Sequence, residues 1–242
     1  MVSEGADIID IGGESTRPGA EPVPLTEELD RVIPIIRAVS KNIAIPVSID
    51  TRRSGVAAEA IRAGASIIND VTALLGDPEM AGVAAESGVP IVLMHMRGEP
   101  KTMQQYIHYN SLIDDIINNL RRSIDLAEKA GIDPDKIIID PGIGFGKTVE
   151  HNLEILSRLF ELKVLDKPIL IGASRKSFIV KSLERAGIKE EAIKDTGVLM
   201  GTVSAAAISI KNGANIVRVH DVKNIVEAAR VADAIKSAAK YS

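Results

Sequence analysis

One turn recurs along this chain and constrains its fold more than any other feature. Glu4-Gly5-Ala6-Asp7-Ile8-Ile9 is matched by Ala63-Gly64-Ala65-Ser66-Ile67-Ile68 and by Asn212-Gly213-Ala214-Asn215-Ile216-Val217. Looser copies sit at Ser87-Gly88-Val89-Pro90-Ile91-Val92 and Ala130-Gly131-Ile132. Each reads as a helix that ends on a glycine able to take positive φ, followed by a short turn into a strand. Seven short apolar runs supply the strands: Asp7–Ile11, Ile45–Ile49, Ser66–Ile68, Pro90–Met94, Lys136–Ile139, Pro168–Ile171 and Ile216–Val219. They are nearly continuous in hydrophobicity rather than alternating, as expected of parallel strands buried on both faces. Helical periodicity fills the intervals. Leu25–Ser40 sets Leu29, Val32, Ile33 and Ile36 on one stripe, and Leu112–Ala130 does so with Ile113, Ile116, Ile117, Leu120, Ile124 and Leu126. Ser54–Ala63, Met80–Ser87, Val149–Leu159, Thr196–Lys211 and Val222–Ala239 follow the same pattern.

A parallel sheet that alternates with helices this regularly is either doubly wound or closed into a barrel. Seven strand–helix units are visible, and a (β/α)₈ barrel needs eight. The copy at Gly5 marks a helix end, yet only Met1–Glu4 precede it. The expectation is a single domain over 1–242, incomplete at its N-terminus by one strand and most of one helix.

Composition narrows the chemistry. The chain has no Cys, which excludes disulfide scaffolds and Cys-ligated metal centres. Its net charge of −4 and its 3 Tyr, 3 Phe and no Trp argue against nucleic acid as a partner, because both backbone neutralisation and base stacking lack their residues. No apolar run reaches the ~18–20 residues of a membrane helix, and the N-terminus lacks a leader pattern. A cytoplasmic α/β protein is expected.

Reactive groups in parallel α/β folds sit at the carboxyl ends of strands. The runs end in Asp10, then Asp50-Thr51-Arg52, Asn69-Asp70, His95 between Met94 and Met96, Asp140, Ser174-Arg175-Lys176-Ser177, and Arg218 with His220 and Asp221. Charged groups abutting Ile/Val runs are costly unless they are paired or face a mouth. Asp50, Asn69 and Asp140 suit a flat, donor-rich heterocycle such as an aminopyrimidinone, since a carboxylate facing two N–H groups forms a bidentate pair. Lys176, Arg218 and His220 suit an anion. The predicted site is therefore two-ended, with an acidic floor and a basic rim. Pro141-Gly142-Ile143-Gly144-Phe145-Gly146-Lys147-Thr148 looks superficially like a P-loop, but Pro141 stands where its first glycine must be. His95, His108, His151 and His220 share no metal-ligand spacing. His108 and His151 read as solvated, whereas His95 is either a core histidine or part of the site.

These strand ends, with Ile9-Asp10-Ile11-Gly12-Gly13-Glu14-Ser15-Thr16-Arg17-Pro18-Gly19 and Gly172-Ala173-Ser174-Arg175-Lys176-Ser177, resemble the dihydropteroate synthase family in order and over essentially the whole chain. The resemblance implies a pterin-binding (β/α)₈ barrel, active as a homodimer with Mg²⁺. Such a transferase joins dihydropterin pyrophosphate to para-aminobenzoate in folate synthesis and is a sulfonamide target. By motif, Asp50, Asn69, Asp140 and Lys176 would contact the pterin and Arg218 and His220 would hold the pyrophosphate, with Met94 also among the substrate-binding residues. Thr16, Arg17 and Pro18 would lie on a mobile loop, and Phe145, Lys176 and Ser177 would border the aminobenzoate. Asp50, Asp140, Lys176 and Arg218 would carry the catalysis. The family's Asn-x-Thr-Pro-Asp-Ser-Phe-type motif, which supplies a Mg²⁺-binding Asn, has no counterpart here, so no metal ligand is assigned. A pterin-binding relative without activity and a methyltetrahydrofolate–corrinoid methyltransferase are the competing readings.

Overall fold

A computed structural model describes residues 1–15, 19–98, 103 and 107–238. Strands β1 (Ile9–Gly12), β2 (Val47–Asp50), β3 (Ile67–Asp70), β4 (Ile91–Met94) and β5 (Ile137–Asp140) form a parallel sheet in chain order. A bridge from Ile139 to Ile169 leads to β6 (Leu170–Ile171), which pairs with β7 (Ile216–Val217). A doubly wound sheet would reverse its order partway, and this one does not. The strands follow one another around a (β/α) barrel. Among the described residues β1 pairs with β2 alone and β7 with β6 alone.

The helices clothe the outside. They are α1 (Leu25–Asn42), α2 (Ser54–Ala63), α3 (Met80–Ser87), α4 (Leu112–Lys129), α5 (Val149–Ser157), α6 (Ser177–Arg185), α7 (Glu190–Ala192), α8 (Val198–Asn212) and α9 (Val222–Ala238). Gly5, Gly64, Gly88, Gly131 and Gly213 all take positive φ, as the recurring turn requires. Sequence periodicity missed α6, so two helical segments rather than one follow β6. It also placed Leu126 on the buried stripe of α4, whereas 41 % of that residue is exposed. Leu126 falls between the buried positions Ile124 and Ala127 and turns to the outer face. A π turn at Ile193–Gly197 joins α7 to α8. The resulting run, Glu190–Asn212, is long and apolar enough to cross a membrane by length and composition alone. Here α8 packs on α5, α6 and α9.

Two apolar layers result. The larger lies between strands and helices and includes Ile49, Ile68, Leu93 and Ile139. The smaller fills the barrel with Ile67, Val92 and Leu170, flanked by Ile8, Ile138 and Ile216. Strand side chains alternate with period two. The residue two places beyond each inner-layer position therefore points up the same bore, and that rule positions the site.

Candidate active site

Counting two on from the inner layer gives Asp10 after Ile8, Asp50 after Ser48, Asn69 after Ile67, Met94 after Val92, Asp140 after Ile138 and Arg218 after Ile216. Parallel pairing aligns Asp50 with Asn69 and Met94 with Asp140. A cavity of about 350 Å³ is lined by Asp10, Asn69 and Arg218 of this set, by Ser174, Lys176 and His220 from the last two strand ends, and by the inner isoleucines.

Arg218 organises the gap between the first and last strands. Its Nε donates to Asp10 Oδ2 at 2.6 Å and its terminal NH₂ donates to Asp50 Oδ2 at 2.8 Å. Asn69 Nδ2 donates to the same Asp10 oxygen at 3.4 Å. Burial and the adjacent Asp10 carboxylate push Asp50 up to about 7, with Arg218 opposing them. The acidic floor and the basic rim therefore meet at Arg218. The guanidinium assigned to the rim is bonded to two carboxylates of the floor, a contact that the separate motifs do not show.

Asp140 occupies the other side of the bore. It accepts from Gly142 N–H at 2.7 Å, and burial raises its pKa against the pull of Lys176. Lys176 donates to the Ile143 carbonyl, and its ammonium lies 4.6 Å from the centre of the Phe145 ring. Burial brings Lys176 down to about 8, with Asp140 resisting. Gly142 and Gly144 take positive φ, and a Cβ on Gly142 would lie 1.9 Å from the His95 carbonyl oxygen. Glycine is needed there for both reasons.

His220 is tied to Ser174, with Nδ1 and Oγ 3.0 Å apart. Arg175, in the left-handed region at φ 56°, donates from Nε to Asp221 at 2.9 Å and holds the β6 and β7 loops together. Ser177 opens α6. Thr16, Arg17 and Pro18 lie outside the described residues. His151, read as solvated, instead caps α5 with Thr148 and meets Tyr109 edge-on at 5.1 Å. His108 is exposed beside Asn110.

Sequence reasoning gave Asp10 and Ser174 no role, and it treated Lys147 only as part of a false P-loop. The two-residue rule would have found Asp10. Nothing in the sequence marks Lys147 as buried, yet it is 3 % exposed.

A pterin binding enzyme model matches residues 1–220. The dihydropteroate synthase of Synechocystis is 48 % identical over 97 % of this chain and 79 % of its own. A Yersinia pestis dihydropteroate synthase solved with a sulfonamide drug complex superposes with a TM-score of 0.90 at 41 % identity, over 98 % of this chain and 82 % of the other. The Xanthomonas albilineans enzyme with 4-aminobenzoic acid gives 0.87 at 41 %, over 97 % and 81 %. Strand order, bore chemistry and these likenesses agree: the chain belongs to the pterin binding enzymes, within the dihydropteroate synthase family.

Proposed function

We propose that this chain condenses dihydropterin pyrophosphate with para-aminobenzoate, releasing dihydropteroate and pyrophosphate. The observation that carries the reading is that Asn69, Lys176 and Arg218 line one cavity at the strand ends, with Asp50 bonded to Arg218 and Asp140 beside Lys176. A donor-rich pterin edge matches the carboxylates and the amide, and a polyanion matches Arg218 and His220. The Xanthomonas relative's 4-aminobenzoic acid supports the second substrate.

In this reading the bond from the pterin methylene to the pyrophosphate oxygen breaks first, and the electron pair leaves with pyrophosphate. Asp50 and Asp140 face the positive charge that spreads into the ring, while Arg218 and His220 hold the leaving anion. The arylamine nitrogen then bonds to the methylene and loses a proton to solvent. An arylamine is already nucleophilic, so no side-chain base is assigned. Fixed electrostatics of this kind typically contribute ~2.7–4 kcal/mol per key group.

Mg²⁺ belongs to the proposal as a companion of the pyrophosphate. The buried Asp10 Oδ1 has no hydrogen-bond partner, which fits one carboxylate ligand of an ion whose other positions are phosphate oxygens and water. When bound, the ion would neutralise charge on the leaving group. No cluster of three or more acidic or histidine ligands occurs among the described residues. A homodimer is proposed through the outer faces of α8 and α9, where Met200, Ile208, Val231 and Ile235 are at least half exposed. A cytoplasmic location completes the reading.

The test is to mix the protein with dihydropterin pyrophosphate, Mg²⁺ and para-aminobenzoate and to follow dihydropteroate and pyrophosphate together. Stoichiometric formation of both supports the synthase. Calorimetric binding of the pterin substrate without turnover supports the inactive relative, and turnover with a methyl donor in place of pyrophosphate release supports the methyltransferase.

A further inference from the structure

Lys147 takes no part in the reaction as described, yet it is the most deeply enclosed lysine near the bore. Its Nζ lies 3.0 Å from His95 Nδ1, donates to the Phe145 carbonyl at 3.0 Å, and is 3.5 Å from the His95 carbonyl. His95 continues β4, its N–H donating to the Asp140 carbonyl at 2.8 Å. One amine thus joins the end of β4 to the loop after β5. That loop bends through glycines at 142, 144 and 146, all with positive φ. Phe145 stands between two of them, its backbone oxygen turned to Lys147 and its ring beneath the Lys176 ammonium. Tyr109 Oη donates to the Gly146 carbonyl at 3.1 Å and packs near His95, closing the other side.

We propose that Lys147 is a positioning residue that fixes the Phe145 ring, and with it the Phe145–Lys176 stack, at the arylamine end of the cavity. A three-glycine loop has little stiffness of its own. A buried amine with its acceptors at hydrogen-bond distance supplies what the glycines lack, and it fits because desolvated donors are costly unless bonded. Its effect falls on the arylamine subsite, since Asp50, Asn69 and Asp140 are held by β2, β3 and β5 and the Lys176 ammonium by the Ile143 carbonyl. The inference rests on the arylamine assignment above.

The experiment uses the full chain with Lys147→Met, a replacement of similar length that lacks the amine. The KM for para-aminobenzoate is expected to rise about tenfold while the pterin dissociation constant stays within about twofold. Phe145→Ala raises the same KM, and the double variant is no worse than Phe145→Ala alone, because Lys147 acts through that ring. An additive double variant, or a pterin constant that moves as much as the arylamine KM, overturns the proposal in favour of a general electrostatic role. Two readouts need no turnover. In the unaltered protein, ¹⁵N spectra should place the His95 proton on Nε2, leaving Nδ1 as an acceptor, and a proton on Nδ1 overturns the proposal even if Lys147→Met fails to fold. The ring resonances of Phe145, one of only 3 phenylalanines, should move in Lys147→Met, and unmoved resonances overturn it. If the unaltered protein shows no arylamine turnover, the enzymatic reading fails, while these spectra still decide the role of Lys147.

Discussion

Asp140 is buried beside Lys176, Lys147 and Arg218 and accepts a hydrogen bond from Gly142. A carboxylate placed so serves charge that develops during reaction more than charge already present in a substrate. Asp140→Asn should therefore lower kcat by about 100-fold while changing pterin affinity several-fold at most, as single-turnover rates beside calorimetry would show. Equal small losses in both would remove Asp140 from the charge-stabilising role. Arg218→Ala should weaken product inhibition by pyrophosphate about tenfold or more, since the cation proposed to face the anion is lost. Two buried groups pull the pH dependence of stability in opposite directions. Asp50 rises from an ordinary 3.8 to about 7, so its contribution is complete below 3.8 and is lost as pH climbs through 7. Lys147 falls from 10.5 to about 7, so its contribution is complete above 10.5 and is lost as pH drops through 7. Together they place a trough near neutrality. Urea midpoints should show Asp50→Asn reducing the decline on the acid side and Lys147→Met reducing the recovery on the alkaline side, with Asp140 and Lys176 sustaining the remainder.

At the scale of elements, the recurring Gly-Ala turn located the strands because it has one physical meaning wherever it occurs. The period-two parity of the inner layer explains why Asp50, Asn69 and Asp140 were legible from their own motifs. The contact of Arg218 with Asp10 was not legible, because it joins positions 208 residues apart and depends on how the first and last strands approach. Helix α6 escaped because its sequence, Ser177–Arg185, follows a motif read for chemistry rather than for period. The glycines divide into two kinds, and substitution separates them. Gly131 and Gly142 both have positive φ, but a Cβ meets nothing within 4 Å at Gly131 and a carbonyl oxygen at 1.9 Å at Gly142. Gly131→Ala should cost about 1–2 kcal/mol from backbone strain alone, whereas Gly142→Ala should cost clearly more and displace His95. Denaturant midpoints of the two variants would make the comparison.

For the whole molecule, the barrel is held unevenly. Strands β2, β3 and β4 have partners on both sides, while β1 and β7 each have one among the described residues. Amide exchange should therefore be slowest in β2 to β4 and faster in β1 and β7, because opening an edge breaks a single ladder. The apolar outer faces of α8 and α9 give a second expectation. If the proposed homodimer forms through this face, Met200→Asp with Ile208→Asp should leave a monomer in light scattering, and an unshifted mass would remove that face from the proposal. The ion pair across the two edges has a consequence of its own. The guanidinium beyond β7 that bonds Asp10 of β1 is also the group proposed for the departing anion, so carboxylate and anion compete for it. In the proposed reaction Asp10 and Asp50 would then reclaim Arg218 as pyrophosphate departs, making product release and re-formation of this ion pair two readings of one residue.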